Sequence, residues 1–545
     1  MKTVYLQPNV AFEPLICRWY AWPFLMAPAT LSLVMKNRLL PILESFVEDP
    51  EFHRSAVRNP KMRGGPFVDH DGDVAAAETL LAQMRSSVRP QLELAQALEK
   101  ATELLEQTGK GNSLEPLYER IPQPLRGVVE LGYDLHNHAS LRLIEPLLYA
   151  DALYDTSLQS VFLRPMGSKP RPFVMSTPLI DCSGGVLVNA PFADPLWDEL
   201  ARAREEGLDE PAFASLRSRV QQHCADMTRF DSLFTETPPA IRHSAPPQDG
   251  VRVRYFGHAT LLIEGAGQSV LVDPSFAYSA SAGLDCFDFH DLPQHIDYLL
   301  LTHNHQDHVL FEFLLQLRHR VGTVVVPKSN GGFLQDPSLR MILEKVGFKS
   351  VMELDELGTI ALGDGSITGL PFLGEHSDLH IRSKLGYAVE LAGKRVMCLA
   401  DSNNLDTAMY RRIARLVPSP DLMFIGMECE GGPMSWLYGS FLTKRLSREH
   451  DEARRLNGSN FARAKSIIDD LRPRGVFVYA MGAEPWFSHI TSIVYDERSI
   501  PIVESNKLID YCMTRDIPAE RLYGKREIAL TQQATGSVGV NQDTP

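Results

Sequence analysis

The sequence predicts a two-domain α+β protein whose second domain is an αββα sandwich, with two β-sheets packed between layers of helices. Three observations predict this architecture. The chain has 545 residues, which is long for one hydrophobic core and suits two. Residues 236–250 contain two Pro-Pro pairs and cannot continue a helix or a central strand. After this stretch, strand-like segments first follow one another and then alternate with helices, which favours two packed sheets over one doubly wound sheet.

These observations divide the chain into four parts. We expect a mixed α/β N-terminal domain at residues 1–235, a proline-rich linker at 236–250, the sandwich at 251–530 and a disordered polar tail at 531–545. The clearest element of the first domain is a helical pattern at 74–107, with Asp73 as its N-cap and Gly109 as its stop. No motif in this domain indicates a particular reaction, so its expected role is substrate recognition or dimerisation.

The strands of the second domain are predicted from short runs of apolar or alternating residues. Apolar and polar residues alternate at 251–257, as in a half-buried strand. The run at 296–301 is apolar except for Asp297 and Tyr298. The other predicted strands cover 260–264, 269–272, 322–327, 349–354, 365–371, 385–391, 395–399, 422–425 and 476–479. Helices are predicted after 309 and at 409–416.

Composition excludes several classes of function. The formal net charge is -14 and no basic run occurs, so the chain is not expected to bind nucleic acid. The seven cysteines are scattered and form no CxxC pair, which is typical of reduced thiols in the cytoplasm. The apolar N-terminal stretch is interrupted by Arg18, Pro23 and Pro28, so neither a signal peptide nor a membrane span is expected.

The segment from Thr302 to His308 carries the strongest functional signal. It places His303, His305, Asp307 and His308 within six positions, directly after a buried strand and before an amphipathic helix. Side chains two apart in an extended turn share a face, so His303 and His305 can bind one ion. Asp307 and His308 can then serve a second ion beside it. The sequence therefore predicts a metal site here.

Three further segments place candidate donors directly after predicted strands. In the first, Glu375 and His376 compete for one ligand position. In the second, Asp401 follows an apolar strand, and its two oxygens can bridge two ions. In the third, His489 follows the last buried strand, with Glu484 as the alternative donor. His258 lacks this context and is expected at most to support a ligand.

The motif Thr302-His303-x-His305-x-Asp307-His308, the early strand that ends at Asp273, and Asp401 resemble the metallo-β-lactamase signature. The resemblance covers residues 251 to about 530 and implies that fold, but it does not name a reaction.

A narrower resemblance rests on the chain length, the large N-terminal domain, the proline-rich junction and Gly374-Glu375-His376 in the third ligand position. These features are similar to the diiron β-hydroxylases of the chloramphenicol-biosynthesis type, which act on aminoacyl groups tethered to nonribosomal peptide synthetases. The resemblance implies one iron on His303, His305 and Glu375, a second on Asp307, His308 and His489, and Asp401 as the bridge. It also implies a homodimer that receives a carrier protein.

A glutamate in place of an imidazole makes the predicted site harder and more anionic, which favours iron over zinc. We therefore expect a monooxygenase that uses two iron ions, O2 and an external electron donor, with Glu375 and Asp401 as the residues that matter most for catalysis. The alternative is a dinuclear zinc or manganese hydrolase of a thioester, lactone or phosphoester. A purely structural metal is not expected, because a structural site is closed and four-coordinate.

Overall fold

The computed structural model describes residues 3–167, 170–278 and 283–531. The tail predicted to be disordered lies outside the described residues except for Thr531. No helix among the described residues is both long and apolar enough to cross a membrane.

The first part of the chain is built around a small antiparallel sheet surrounded by helices. Its strand order is β3-β2-β6-β7, with β2 at Val10–Ile16, β3 at Trp19–Tyr20, β6 at Gln159–Pro165 and β7 at Val186–Val188. Two strand pairs accompany it, β1 (Tyr5–Leu6) with β8 (Phe234–Thr235), and β4 (Val129–Tyr133) with β5 (Ala139–Leu143).

The helices of this part are mostly short, and two of them form the predicted helical stretch. They are α1 Pro23–Met26, α2 Pro28–Val34, α3 Leu40–Glu48, α4 Pro50–Arg58, α5 Val74–Ser87, α6 Arg89–Thr108, α7 Glu145–Ala150, α8 Leu196–Arg202, α9 Glu210–Val220 and α10 Met227–Asp231. The Asp73 side chain accepts a hydrogen bond from the Ala75 backbone N–H at 3.0 Å, so it caps α5 as the sequence predicts.

The second part contains two seven-stranded mixed sheets. The first has the order β14-β13-β12-β11-β10-β9-β22 and the second β15-β16-β17-β18-β19-β20-β21. The first is formed by β9 Val251–Gly257, β10 Thr260–Gly265, β11 Gln268–Val272, β12 Ile296–Leu300, β13 Val321–Pro327, β14 Val351–Leu354 and β22 Arg526–Leu530. The second is formed by β15 Thr359–Leu362, β16 Gly365–Leu370, β17 Gly386–Leu391, β18 Lys394–Cys398, β19 Leu422–Gly426, β20 Val476–Tyr479 and β21 Ala519–Arg521.

Helices accompany the two sheets. They are α11 Phe311–Leu317, α12 Leu339–Val346, α13 Ala408–Ile413, α14 Met434–Tyr438, α15 Arg448–Ala453, α16 Phe461–Leu471, α17 Ser488–Thr491 and α18 Ile500–Met513. Between the sheets, Val253 and Ile263 share a buried cluster with Val389 and Phe424. On the other side of the second sheet, Met423 packs with Ile467 and other helical residues. The αββα sandwich predicted from the sequence is therefore confirmed.

The two parts of the chain share one hydrophobic cluster. Phe12 and Trp197 of the first part are fully buried in the same cluster as Phe313 and Leu314 of α11. The first part therefore packs directly against the helix that follows the metal-binding motif.

Candidate metal centre

The candidate donors lie in loops that follow the carboxyl ends of three strands. β12 ends at Leu300, and the loop before α11 carries the His303–His308 motif. β16 ends at Leu370, five residues before Glu375, and β18 ends at Cys398, three residues before Asp401. Strand ends at the edge of a layered fold commonly gather functional side chains in this way. Here they bring His303, His305, Asp307, His308, Glu375 and Asp401 into one buried cluster.

The donors form two neighbouring groups, and Asp401 lies between them. In the first group, the His305 Nδ1 atom lies 2.7 Å from Glu375 Oε2, and His303 Nε2 lies 3.8 Å from the same oxygen. In the second, His308 Nε2 lies 3.8 Å from Asp307 Oδ2. Asp401 Oδ2 lies 3.7 Å from His303 Nε2 and 3.0 Å from His308 Nε2. This arrangement fits two adjacent cations with one carboxylate between them.

Hydrogen bonds outside the cluster orient two of its imidazoles. Thr302 Oγ1 donates to Asp273 Oδ2 at 2.6 Å, so it accepts from His303 Nδ1 at 3.0 Å. His308 Nδ1 donates to the same Asp273 oxygen at 2.8 Å. The Nδ1 atom of each ring is thus engaged outside the cluster and its Nε2 atom faces inward, the orientation in which an imidazole can bind a metal through Nε2.

His305 faces the cluster through its other nitrogen. Its Nε2 lies 2.8 Å from the Tyr438 hydroxyl. When Nε2 donates to that hydroxyl, the Nδ1 lone pair is free beside Glu375. Tyr438, on α14, therefore orients the His305 ring by a hydrogen bond, as Asp273 orients the His308 ring.

Several of the buried donor atoms have no hydrogen-bond partner among the described residues, as expected of atoms that bind a metal ion. His303 Nε2, Glu375 Oε2 and Asp401 Oδ1 have no hydrogen-bond partner in the described structure, although all three are buried, and such atoms are costly unless a cation or proton satisfies them. Burial raises the pKa of Glu375 to about 7. Burial, reinforced by the charges of His308 and His305, holds the pKa of His303 well below its usual range, so this imidazole stays neutral.

Of the two adjacent candidates, Glu375 faces the cluster. Its neighbour His376 stacks on His305, with ring centroids 4.4 Å apart, and its Nδ1 lies 3.4 Å from the Gly374 carbonyl oxygen. Glu375 has a φ of +65°, a left-handed conformation that turns the side chain away from the direction an extended chain would give it. Of the two side chains between which the sequence left the choice open, the structure groups Glu375 with His303 and His305.

The structure does not bring His489 into the cluster, contrary to the ligand set implied by the resemblance. The His489 ring lies on α17, where Nδ1 contacts the Trp486 carbonyl oxygen at 3.1 Å and Nε2 lies 4.0 Å from Glu312 Oε2. The physical reason is the intervening segment between β20 and α17, which carries the ring toward Glu312 of α11. Glu484 does not take its place, because its Oε1 accepts from the His258 backbone N–H at 2.9 Å and from the Tyr255 hydroxyl.

His258 lies beside the second group instead. Its Nε2 is 3.6 Å from Asp307 Oδ2, and the Gly482 backbone N–H donates to its Nδ1 at 3.1 Å. A neutral imidazole that accepts at Nδ1 carries its proton on Nε2. His258 therefore directs an N–H toward Asp307, although at 3.6 Å the two groups are not hydrogen-bonded. The sequence signal for it was only its place at the corner after β9, because Gly482 is distant in the chain.

The cluster opens into a cleft with a volume of about 470 Å³ that is lined by both parts of the chain. His305, Asp307, Glu375 and Asp401 lie along it. Apolar side chains line much of the rest, and they are Met62, Phe67, Trp436, Leu437, Leu456, Met481 and Ile493. Trp436 Nε1 donates to the Gly64 carbonyl oxygen at 2.9 Å, so the 61–67 segment is fixed as one wall of the cleft.

Comparisons with known proteins match both parts of the chain. The family described as the diiron non-heme beta-hydroxylase N-terminal domain matches residues 5–238, and a beta-lactamase superfamily domain matches residues 268–431. A curated relative from Streptomyces venezuelae, 4-amino-L-phenylalanyl-[CmlP-peptidyl-carrier-protein] 3-hydroxylase, is 40% identical over 96% of this chain and 99% of its own length. A metal-dependent hydrolase of Flavobacterium johnsoniae is 28% identical over 24% of this chain and 60% of its own length.

A solved structure gives the same result over nearly the whole chain. The crystal structure of CmlA, a diiron beta-hydroxylase from Streptomyces venezuelae, superposes with a TM-score of 0.91 at 39% identity and covers 97% of this chain and 100% of its own. With the buried donor set described above, these matches establish the family predicted from the sequence. The chain belongs to the diiron non-heme β-hydroxylases, enzymes that join this N-terminal domain to a metallo-β-lactamase fold.

Proposed function

We propose that this enzyme uses O2 to hydroxylate the β-carbon of an aminoacyl group tethered to a peptidyl carrier domain of a nonribosomal peptide synthetase, in the biosynthesis of a natural product. The observation that carries the proposal is the buried carboxylate of Glu375 beside His303 and His305, at the end of a cleft built by both parts of the chain. The relative from Streptomyces venezuelae, whose name describes such a reaction, supports it.

We propose His303, His305 and Glu375 as the ligands of one iron, Asp307 and His308 as protein ligands of the other, and Asp401 as the bridge. When bound, the two irons supply the activation of O2 and the removal of hydrogen from the β-carbon. The three carboxylates contribute the anionic oxygen donors that iron prefers to a greater degree than zinc. His489 is replaced in this proposal by His258, which acts through Asp307.

The chain's own residues supply the position and the surroundings of the substrate. Met62, Phe67 and Trp436 form an apolar section of the cleft that suits the side chain of an apolar or aromatic amino acid. Binding there displaces water from the surface next to the donors, so that solvent does not compete with the substrate. Glu375 and Asp401 act by holding negative charge at the metal positions, and neither needs to serve as a general acid or base.

The reaction also requires partners outside this chain. An external donor must supply electrons, because one oxygen atom of O2 enters the product and the other leaves as water. The family resemblance further supports a homodimer, which light scattering on the purified protein tests directly.

The experiment is intact-mass analysis of an aminoacylated carrier domain after incubation with the iron-loaded protein, a reductant and O2. We expect the aminoacyl carrier to gain one oxygen atom and to keep its thioester. The Glu375→Gln variant is the matched control, and it should give no product. Release of the free amino acid without oxygen uptake would instead support the zinc or manganese hydrolase and overturn the proposal.

A further inference from the structure

Two cations of the N-terminal domain lie on the wall of the cleft. Lys61 and Arg63 line it together with the metal donors, and both side chains are exposed. Within residues 3–167, 170–278 and 283–531, neither side chain has a carboxylate at ion-pairing distance. Arg54 and Arg58, from the preceding helix α4, are by contrast paired with Glu51 and Asp71 at 2.6 and 3.1 Å.

The segment that carries these cations is held in place before any ligand binds. Asn59 caps the short 3₁₀-helix Pro60–Met62 by accepting from the Lys61 N–H at 3.1 Å. The Gly64 carbonyl oxygen accepts from Trp436 of the catalytic part at 2.9 Å. Lys61 and Arg63 therefore project from a backbone that is fixed on both sides, which lowers the conformational cost of binding an anion.

The charge of the whole molecule makes this pair unusual. The chain has a formal net charge of -14, and the cleft is also lined by Glu428 and Glu430. Two unpaired cations at this one edge create a local field that attracts an anion in an otherwise acidic protein. Arg also binds phosphate groups through a planar fork, and Lys binds them as a compact charge.

We infer that Lys61 and Arg63 bind the phosphate of the phosphopantetheine arm through which a carrier domain presents its aminoacyl group. This inference rests on the proposed function. The arm carries the thioester at one end and the phosphate, next to the carrier, at the other. When the aminoacyl end reaches the donors inside the cleft, the phosphate remains nearer the solvent, on the side where the two exposed cations lie.

The test measures the affinity of the metal-loaded enzyme for the CmlP peptidyl carrier protein in two forms, with the phosphopantetheine arm and without it. For the wild type we expect tighter binding of the form with the arm. In the Lys61→Ala/Arg63→Ala double variant, affinity for that form should fall about three- to tenfold, because two exposed charge interactions are lost. Binding of the form without the arm should not change, and the salt dependence of binding should become weaker.

The Arg58→Ala variant is the matched control, since it removes a nearby cation that already has a partner. It should bind both forms of the carrier like the wild type. If the double variant keeps the full preference for the form with the arm, the inference is wrong while the proposed function stands. If it loses affinity equally for both forms, the cations contact the carrier surface and the phosphate assignment is overturned. If the wild type binds the two forms equally, the inference is wrong while the proposed function stands.

Discussion

At the scale of single residues, Asp273 controls the metal centre without belonging to it. One of its oxygens accepts from both Thr302 and His308, and the other accepts from the Thr302 backbone N–H at 2.8 Å. This carboxylate is completely buried, and these donors stabilise its charge. Its position fixes two imidazole tautomers, which is how a residue that does not bind metal can determine metal affinity.

The separation of His489 from the cluster gives the first prediction. Asp307→Asn replaces a carboxylate beside His308 and should reduce the iron content of the purified protein from about two ions per chain to about one. His489→Asn removes a ring that contacts Glu312 and should leave both ions bound. Elemental analysis of the two variants checks this. Loss of iron from His489→Asn to the same extent would restore His489 to the ligand set.

A second prediction concerns the buried carboxyl of Glu145, which accepts from the Ser338 N–H at 3.1 Å. Burial raises its pKa from 4.5 to about 7. An acid whose pKa is raised by folding stabilises the folded state below its unfolded pKa and loses that contribution as the pH rises through the folded pKa. Glu145→Gln should therefore be more stable than the wild type above pH 7, by about 3 kcal/mol at most.

The measurement for this variant is the free energy of unfolding as a function of pH. The difference between Glu145→Gln and the wild type should grow between pH 4.5 and about 7 and then stay constant. A difference that does not depend on pH would show that the carboxyl is not the titrating group.

The sequence predicted those features of the site that depend on residues close together in the chain. His303, His305, Asp307 and His308 lie within six positions, so their spacing alone predicts convergence. Glu375 and Asp401 were predicted from their places after strands. The sequence predicted only that His258 could support a ligand, because its contact with Gly482, more than two hundred residues away, leaves no local signal. The ligand assignments themselves remain a proposal.

At the scale of elements, α11 connects the metal motif to the N-terminal domain. Glu312 on this helix accepts from Arg171 Nη1 at 2.8 Å, from the Tyr20 hydroxyl at 3.0 Å and from the Tyr278 hydroxyl at 2.9 Å. Arg171 also lies 2.9 Å from Glu13 on β2. Four residues after His308, the chain is thus held by a largely buried ionic network.

This network predicts a large loss of stability in Arg171→Met. The substitution leaves the fully buried Glu312 without its cation, which costs about 3 kcal/mol or more, while Glu13 keeps Arg164 at 3.3 Å. Arg217→Met is the matched control, because its partner Asp231 lies 2.9 Å away at a half-exposed site, where such a pair contributes less than about 1 kcal/mol. Chemical denaturation of both variants distinguishes them. Equal losses would mean that the buried network contributes nothing beyond a surface pair.

Most strands of the sandwich were predicted to within two residues because each one is a short apolar run ended by a turn. β15, β21 and β22 were not predicted. β22 pairs with β9 at the edge of the first sheet and alternates between half-buried and exposed residues. Its strand character comes from a partner at the other end of the domain, which no local pattern records. The helices α16 and α18 were missed as well.

At the scale of the whole molecule, the two parts of the chain have one continuous core. The largest buried cluster runs from Leu6 and Phe12 through Trp197 to Phe313 and Ile342. The sequence predicted two domains but not their shared core, because the apolar faces that pack together belong to segments on opposite sides of the linker. The domain boundaries themselves remain predictions.

This shared core predicts that the two parts unfold together. Denaturation followed by tryptophan fluorescence and by circular dichroism should give one coincident transition, since opening either part exposes the apolar surface of the other. Two separate transitions would show that the interface between the parts contributes little to stability.

We propose that one buried cluster holds two neighbouring irons. Anomalous X-ray diffraction at the iron absorption edge, measured on crystals of the purified enzyme, tests it most directly. We expect two iron peaks, one bounded by His303, His305 and Glu375 and the other by Asp307 and His308, with Asp401 between them. A single peak, a signal at the zinc edge alone, or a peak at His489 would contradict it.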